Sequence, residues 1–439
     1  VPREAEGAAH AVEGLPLNPS RVWARYWIES AFPLEEAAAS LAGEQSSGTF
    51  VQVPGETAAL KQRYGARVEA LREVETVDAP SLPGAALPKG IPQPRWRRAI
   101  LDVSWPLDNM GPSLPNLLAT VAGNLFELRQ FSGLRLLDLG LPAAFAEANP
   151  GPAFGVAGTR RLAGVMEGAL IGTIIKPSVG LTPEETAALA LTLAKAGIHF
   201  LKDDELQADG PHCPFRQRVD AVMGALRAHA DATGRLPMYA FNLTGEVDQM
   251  RRCHDHVLAA GGSCVMVSLH SVGLTGLLAL RRHAQLPIHA HRNGWGLFSR
   301  SPHIGLSYLA WQKLWRVAGA DHMHVNGLQN KFCEADESVI ASARGCLRPL
   351  FAPPLPACTV MPVFSSGQTV RQAHPTYAAL GSTDLIFAAG GGLVGHPAGA
   401  GAGVRAMQAA WDAAIAGIPL EVQAERVPEL QQALAEFAA

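Results

Sequence analysis

No two cysteines stand as C-x-x-C, no apolar run reaches the ~18 residues of a membrane-crossing helix, and no glycine-rich dinucleotide fingerprint follows a first strand. Each absence removes a class of protein. The six cysteines (Cys213, Cys253, Cys264, Cys333, Cys346 and Cys358) offer neither a disulfide framework nor a zinc site, which suits a reducing compartment. Cys264, inside an apolar run, reads as a small core residue. Charge is also scarce: 17% of residues carry it, and a net charge of −3 supplies no basic surface for nucleic acid or an anionic membrane. The first residues, Val1-Pro2-Arg3-Glu4-Ala5-Glu6, lack the charged-then-apolar layout of a secretion signal. The cysteine usage makes a reducing cytoplasm the expected location.

What is present is core. At 439 residues and 48% hydrophobic, the chain has room for two domains, or for a large barrel with an appendage. Residues 1–149 read as a smaller α+β domain of ferredoxin-like type. Strand-like runs at 21–29, 49–53, 98–103 and 134–139 mix with helices opening at Pro33 and near 117–121, while the proline- and glycine-rich 78–94 reads as a surface connection. From 150 to 425 the pattern changes to short apolar runs at 170–176, 199–204, 238–242, 265–268, 288–291, 322–325, 360–365 and 385–389. Amphipathic helical stretches separate them, one opened by the capping box Thr182-Pro183-Glu184-Glu185. Strands alternating with helices in this way predict an α/β fold, a C-terminal (β/α)8 TIM barrel, with 426–439 as a helical tail.

Barrel enzymes place their chemistry at the carboxyl ends of strands. Here those ends are polar: Lys176, Lys202-Asp203-Asp204-Glu205, His289-Ala290-His291-Arg292, His322-Met323-His324, Ser365-Ser366-Gly367 and Gly390-Gly391-Gly392. Alternation along a strand turns Lys202 and Asp204 to one face, and such charge at a buried strand end is costly unless the groups serve each other or a metal. Spacing alone leaves both a salt-bridged strand end and a metal site open. Asp204 and Glu205 are oxygen ligands suited to Mg2+. A lysine whose pKa is lowered by burial can add CO2 and become an anionic carbamate, which would make Lys202 a third ligand. The His-x-His pairs also fit a zinc or binuclear site, but Arg292 beside His291 would repel a metal, and we read them as proton-transfer and anion-binding groups. Ser366-Gly367 and Gly391-Gly392 fit a phosphate cradle, and Arg292, His324 and Ser365 a second anion site. Lys331, in Asn326-Gly327-Leu328-Gln329-Asn330-Lys331, reads as a lid lysine.

Together these stretches resemble the RuBisCO large-chain superfamily. Gly172-Thr173-Ile174-Ile175-Lys176-Pro177 is similar to its strand-one motif, Lys202-Asp203-Asp204-Glu205 to its activation motif, and Lys331 falls seven residues past His324 as that family's lid lysine does. Glu44-Gln45-Ser46-Ser47-Gly48-Thr49 and Gly123-Asn124-Leu125-Phe126 resemble the segments that reach a partner subunit's site. The resemblance implies Mg2+ held by carbamylated Lys202, Asp204 and Glu205; catalysis by Lys176, Lys202, His291 and Lys331; and substrate contacts from Thr49, Thr173 and the anion-binding residues above. It also implies a homodimer, or a higher assembly of dimers, in which Glu44 and Asn124 act in trans. Ser178 stands where the carboxylases have a second lysine, Phe50 where they have tryptophan, and Ser366 where they have glycine. These departures resemble the RuBisCO-like proteins (form IV) and argue against authentic carboxylation. The expected activity is enolisation of a phosphorylated keto sugar or sugar acid, with decarboxylation of a 3-oxo sugar-acid phosphate of the 3-oxo-isoapionate 4-phosphate type. A 5-methylthioribulose 1-phosphate isomerase, a diketo-methylthiopentyl phosphate enolase and a non-catalytic sugar-phosphate binder are the alternatives.

Overall fold

The computed structural model describes Leu15, residues 18–48 and residues 53–437; Thr49, Phe50 and all but the last residue of the strand expected at 49–53 fall outside the described residues. Contacts divide the chain into two units, Val1–Asn149 with Gly294–Val317 and Leu350–Pro356, and Pro150–Asn293 with Ala318–Pro349 and Ala357–Ala439.

The first unit is built on a sheet whose early strands are β1 (Arg21–Ser30), β2 (Arg67–Val77), β3 (Trp96–Pro106) and β4 (Gly133–Gly140). β1 is almost wholly buried because it lies between two antiparallel neighbours, β3 and β4. Its Trp27 packs with Ile100 and Leu137, and Arg25 is neutralised by a two-pronged pair with Asp102, both contacts at 2.7 Å. Helices Leu34–Glu44 and Leu114–Ala122 follow β1 and β3, giving the βαββαβ arrangement with strand order β4-β1-β3-β2.

The second unit begins with β5 (Leu170–Ile174), β6 (Phe200–Lys202), β7 (Met238–Asn242), β8 (Cys264–Ser268) and β9 (Ile288–His291). The chain then contributes β10 (Ile304–Leu306) to the first unit's sheet, parallel to β4, before β11 (His322–His324), β12 (Met361–Phe364) and β13 (Ile386–Ala388) complete the second unit. The latter strands close a parallel barrel in the order β11-β12-β13-β5-β6-β7-β8-β9, each at the position expected.

Leu170, Phe200, Met238, Met266, Met361, Val363 and Ile386 fill the barrel, and each such side chain removed from water contributes about 2 kcal/mol. Gly172 belongs to that packing, since a Cβ there would press on Phe200 at 3.1 Å. Cys264 is in the core as expected, and all six cysteines are free thiols. The Thr182 capping box forms, with Thr182 Oγ1 accepting from Glu185 N at 3.2 Å and Glu185 Oε2 accepting from Thr182 N at 2.8 Å. Helix Pro428–Glu436 belongs to the barrel unit, where Arg371 donates to the carbonyls of Leu434 and Phe437 at 2.6 and 2.7 Å. Among the described residues no helix is long and apolar enough to cross a membrane.

Candidate active site

Parallel strands bring their carboxyl ends to one rim. Lys202 ends β6 and is 0% exposed. Its Nζ donates to the Asp203 carbonyl at 2.7 Å and lies 3.9 Å from Glu205 Oε2. An ammonium has three N–H groups to satisfy, and this one makes a single hydrogen bond. Burial lowers the Lys202 pKa despite the neighbouring carboxylates, which favours the free amine. A carbamate nitrogen keeps one N–H, so the single acceptor suits that modification, and the residues fit a hard cation held by three oxygen donors.

Beside it, Asp204 accepts from Lys176 Nζ at 2.6 Å and from Leu206 N at 3.1 Å. Burial alone would raise its pKa, but these hydrogen bonds and the Lys202 and Lys176 charges hold the carboxyl below the usual range. Lys176 also donates to Ser178 Oγ at 2.8 Å, so Ser178 and Asp204 together orient this ammonium. His291 Nε2 lies 3.5 Å from Glu205 Oε2, and its Nδ1 accepts from Asn293 N at 3.2 Å. That backbone donor leaves the ring proton on Nε2, facing Glu205. Burial and the Lys202 charge push His291 down to about 4.

Asp203, next in the chain, faces away from this cluster. It takes a hydrogen bond from Tyr239 Oη at 2.7 Å, one from Asn242 N at 2.9 Å and the guanidinium of Arg218 at 3.2 Å. Arg218 and Tyr239 carry no signal at the strand ends. One existed for Arg218: it occupies the apolar stripe Phe215, Val219, Val222 and Leu226 of its helix.

The groups expected to hold a second anion are turned to other partners. Arg292 Nη2 meets Glu334 Oε2 at 2.5 Å, which also accepts from Asn326 Nδ2 at 2.6 Å. Glu334 lies three residues past Lys331, on the segment after β11, and was not singled out by the sequence. His324 Nδ1 meets Ser365 Oγ at 3.0 Å. Ser366 has φ of 72°, the left-handed region, which is why a glycine suits this position. Its Oγ donates to Asn326 Oδ1 at 2.9 Å.

Lys331 is exposed, its amide donating to the Ser366 carbonyl at 3.3 Å and its Nζ lying 5.3 Å from the Phe332 ring centre. Gly367 lets that backbone pass, with its Cβ position 3.5 Å from Lys331 N. Gly391 and Gly392 open a single helical turn, and a Cβ on Gly392 would collide with the Gln368 carbonyl. Thr173 is fully buried and donates to the Ala389 carbonyl at 2.7 Å, tying β5 to the residue after β13. Glu44 and Asn124 belong to the first unit, where Gln45, with its amide turned so that both ends are satisfied, accepts from Asn124 N at 3.0 Å and donates to the Ala119 carbonyl at 3.2 Å.

Among the described residues one group has metal-like spacing, His254, Asp255 and His283, with ligand atoms within 4.8 Å. Its hydrogen bonds argue for a clamp. His254 Nε2 accepts from Gln285 N at 3.0 Å, which places the ring proton on Nδ1, the atom 3.0 Å from Asp255. A metal there would require the imidazole to lose both protons.

Two family models match the chain: "Ribulose bisphosphate carboxylase large chain, N-terminal domain" over residues 18–145 and the corresponding catalytic domain over 155–437. The chain is 60% identical over 415 residues to a 3-oxo-isoapionate-4-phosphate transcarboxylase/hydrolase of Xanthobacter autotrophicus, covering 94% of this chain and 98% of that protein. It is 43% identical to a 3-oxo-isoapionate-4-phosphate decarboxylase of Rhizobium etli, covering 94% and 97%. A crystal structure of a rubisco-like protein from Burkholderia fungorum superposes with a TM-score of 0.89 at 46% identity, covering 95% of this chain and all of that one.

Proposed function

Because the chain belongs to the ribulose bisphosphate carboxylase large-chain family, we propose that it acts on 3-oxo-isoapionate 4-phosphate, moving the substrate's carboxyl group and then hydrolysing the product. The observation that carries this reading is the 60% identity, over nearly the whole chain, to a protein of that activity. Decarboxylation, expected from the sequence, is the second reading and is favoured by the 43% identity to proteins of that name.

Both readings begin alike. In a 3-oxo acid the ketone lies β to the carboxylate. Breaking the bond to the carboxyl carbon releases CO2 and leaves its electron pair in an enediolate, whose oxygens need positive charge or donors. A decarboxylase protonates the carbon that lost CO2. A transcarboxylase adds the CO2 to the neighbouring enediolate carbon, which leaves a ketone on the carbon that lost it. Water adds to that ketone, and the bond between the two carbons breaks. The carbon bearing the new carboxyl keeps the electron pair and takes up a proton, giving two acids.

Lys202 as its carbamate, with Asp204 and Glu205, would hold Mg2+, which when bound polarises the substrate's ketone and hydroxyl oxygens. Lys176, steered by Ser178 and Asp204, is the acid/base group at the enediolate. His291, with its proton on Nε2, assists as a donor. Lys331 covers the mouth and meets the migrating carboxyl. Ser366, Gly367, Gly391 and Gly392 cradle the phosphate, and Arg292, which meets Glu334 at 2.5 Å, is a candidate contact for a second anion. A second copy of the chain supplies Glu44 and Asn124, making a homodimer with shared sites.

The test is to incubate the protein with Mg2+, bicarbonate and substrate labelled with carbon-13 in the carboxyl group. Label retained in a product acid supports transfer, and label appearing only as CO2 supports decarboxylation. An untouched substrate ends both readings.

A further inference from the structure

The barrel interior holds a row of hydrogen-bonded groups that the proposed chemistry does not use. Thr159 Oγ1 lies 2.5 Å from the Gly155 carbonyl and 2.8 Å from His322 Nε2. His322 Nδ1 faces His289 Nδ1 at 3.3 Å, and His289 Nε2 faces His324 Nε2 at 2.7 Å. His324 Nδ1 then meets Ser365 Oγ at 3.0 Å. Thr159, His289 and His322 are 0% exposed and His324 3%, so bulk water does not reach these atoms. Burial pushes the three rings well below the ordinary histidine range, His322 to about 3, and each is neutral at physiological pH.

A neutral imidazole has one N–H and one bare nitrogen, and both nitrogens of each ring are engaged. A carbonyl has no proton to offer, so the single Thr159 proton goes to Gly155, and the Thr159 oxygen must receive the Nε2–H of His322. His322 Nδ1 is then bare and receives the Nδ1–H of His289. His289 Nε2 is bare in turn and receives the Nε2–H of His324. His324 Nδ1 is left to receive the hydroxyl proton of Ser365. The opposite direction would require Thr159 to donate twice with one proton.

We propose that Thr159, His322 and His289 are positioning residues: acting from the Gly155 carbonyl, they lock His324 as its Nε2–H tautomer and thereby present the Ser365 oxygen as an acceptor for a substrate hydroxyl. This rests on the reading that the mouth binds a hydroxylated sugar-acid phosphate. Ser366 gives its proton to Asn326 and has none for Ser365 Oγ, 3.4 Å away. Two hydroxyls presenting lone pairs do not stabilise a phosphate oxygen. They suit a hydroxyl donor, so these two side chains read the substrate's carbon skeleton, and the phosphate is left to the backbone N–H groups of the cradle.

Nitrogen-15 NMR of histidine-labelled protein, with single-histidine variants for assignment, tests the lock without substrate. Near neutral pH the expected pattern is His289 protonated on Nδ1 and His322 and His324 on Nε2; any other pattern overturns the proposal. Thr159→Val removes the terminal acceptor, and Thr159→Ser keeps it. The valine variant is expected to show mixed His324 tautomers and a KM raised about tenfold with kcat changed less, and the serine variant to restore both. A folded valine variant with His324 still wholly Nε2–H would overturn the lock. If that variant does not fold, the tautomers of the unmodified protein decide. If the substrate assignment is wrong, the assay of the labelled acid fails while the tautomer pattern remains, so the two failures are distinguishable.

Discussion

Asp203 and Asp204 are adjacent in the chain and leave the end of β6 on opposite faces. The surroundings of Asp203 are closed: Arg218, Tyr239 and the Asn242 amide satisfy its oxygens, and Arg218 is satisfied in turn by the carbonyls of Cys213 and Ala208 at 2.9 and 2.6 Å. Those of Asp204 are open. Its partner Lys176 is 38% exposed, Glu205 is 32% exposed, and buried Lys202 has more protons than acceptors. Saturated hydrogen bonding marks the group that holds the barrel together, and incomplete hydrogen bonding marks the group left for a ligand.

The largest effect separates the two aspartates directly. Asp203→Ala strands the fully buried Arg218 guanidinium and is expected to lower stability by about 3–5 kcal/mol in urea denaturation. Asp204→Ala breaks a pair whose lysine reaches solvent, worth about 0–1 kcal/mol, while turnover falls roughly 100- to 1,000-fold. Similar stability losses at the two sites would erase the distinction.

The next effect, about 2 kcal/mol per group, concerns pH. His289, His322 and His324 titrate lower in the folded protein than the ~6.5 of an unfolded chain, because burial disfavours the imidazolium. Unfolding therefore takes up protons. The stability is fully present above about pH 6.5 and is lost as pH falls toward the folded values, with each ring costing about 2 kcal/mol by pH 5. Urea midpoints measured from pH 7 to 5 should fall accordingly. A flat profile would mean that the row is not saturated by neutral rings.

The barrel was legible because its strands are buried on both faces and read as short apolar runs, and because the charge at their ends had no structural reason to converge. β2 was not. Arg67–Val77 is mostly exposed and shows no clean alternation; it is a strand because β3 pairs with it. β10 carries even less signal, since three residues pair with β4 from far along the chain. Alternation turned Lys202 and Asp204 to one face, whereas β6 ends at Lys202 and Asp204 meets Lys176 beyond it; nor did it hint at Tyr239 and Asn242 behind Asp203, which meet it only when β6 and β7 align. Glu334 on Arg292 was invisible for the same reason: a charged residue in the segment after β11 has the composition of any surface loop.

Lys202→Met sharpens the open side. Replacing a buried, under-satisfied ammonium by an apolar chain of similar length is expected to leave stability unchanged or raise it by about 1 kcal/mol. Mg2+ with bicarbonate should raise the melting temperature of the unmodified protein and not that of the variant, because a ligand stabilises only the state that binds it. Equal shifts would remove Lys202 from the metal site.

The smallest effect tests whether a hydrogen bond can offset a backbone. Ser366 sits at φ 72°, where a side chain costs about 1 kcal/mol relative to glycine. Its hydroxyl regains about as much through Asn326 Oδ1 at 2.9 Å. Ser366→Gly removes both contributions and should change stability by less than about 0.5 kcal/mol, whereas Ser366→Ala keeps the strain and loses the bond, at about 1 kcal/mol. If alanine is as stable as serine, Asn326 gains nothing from the hydroxyl, and this corner of the rim belongs with Asp204 among the groups left open for substrate.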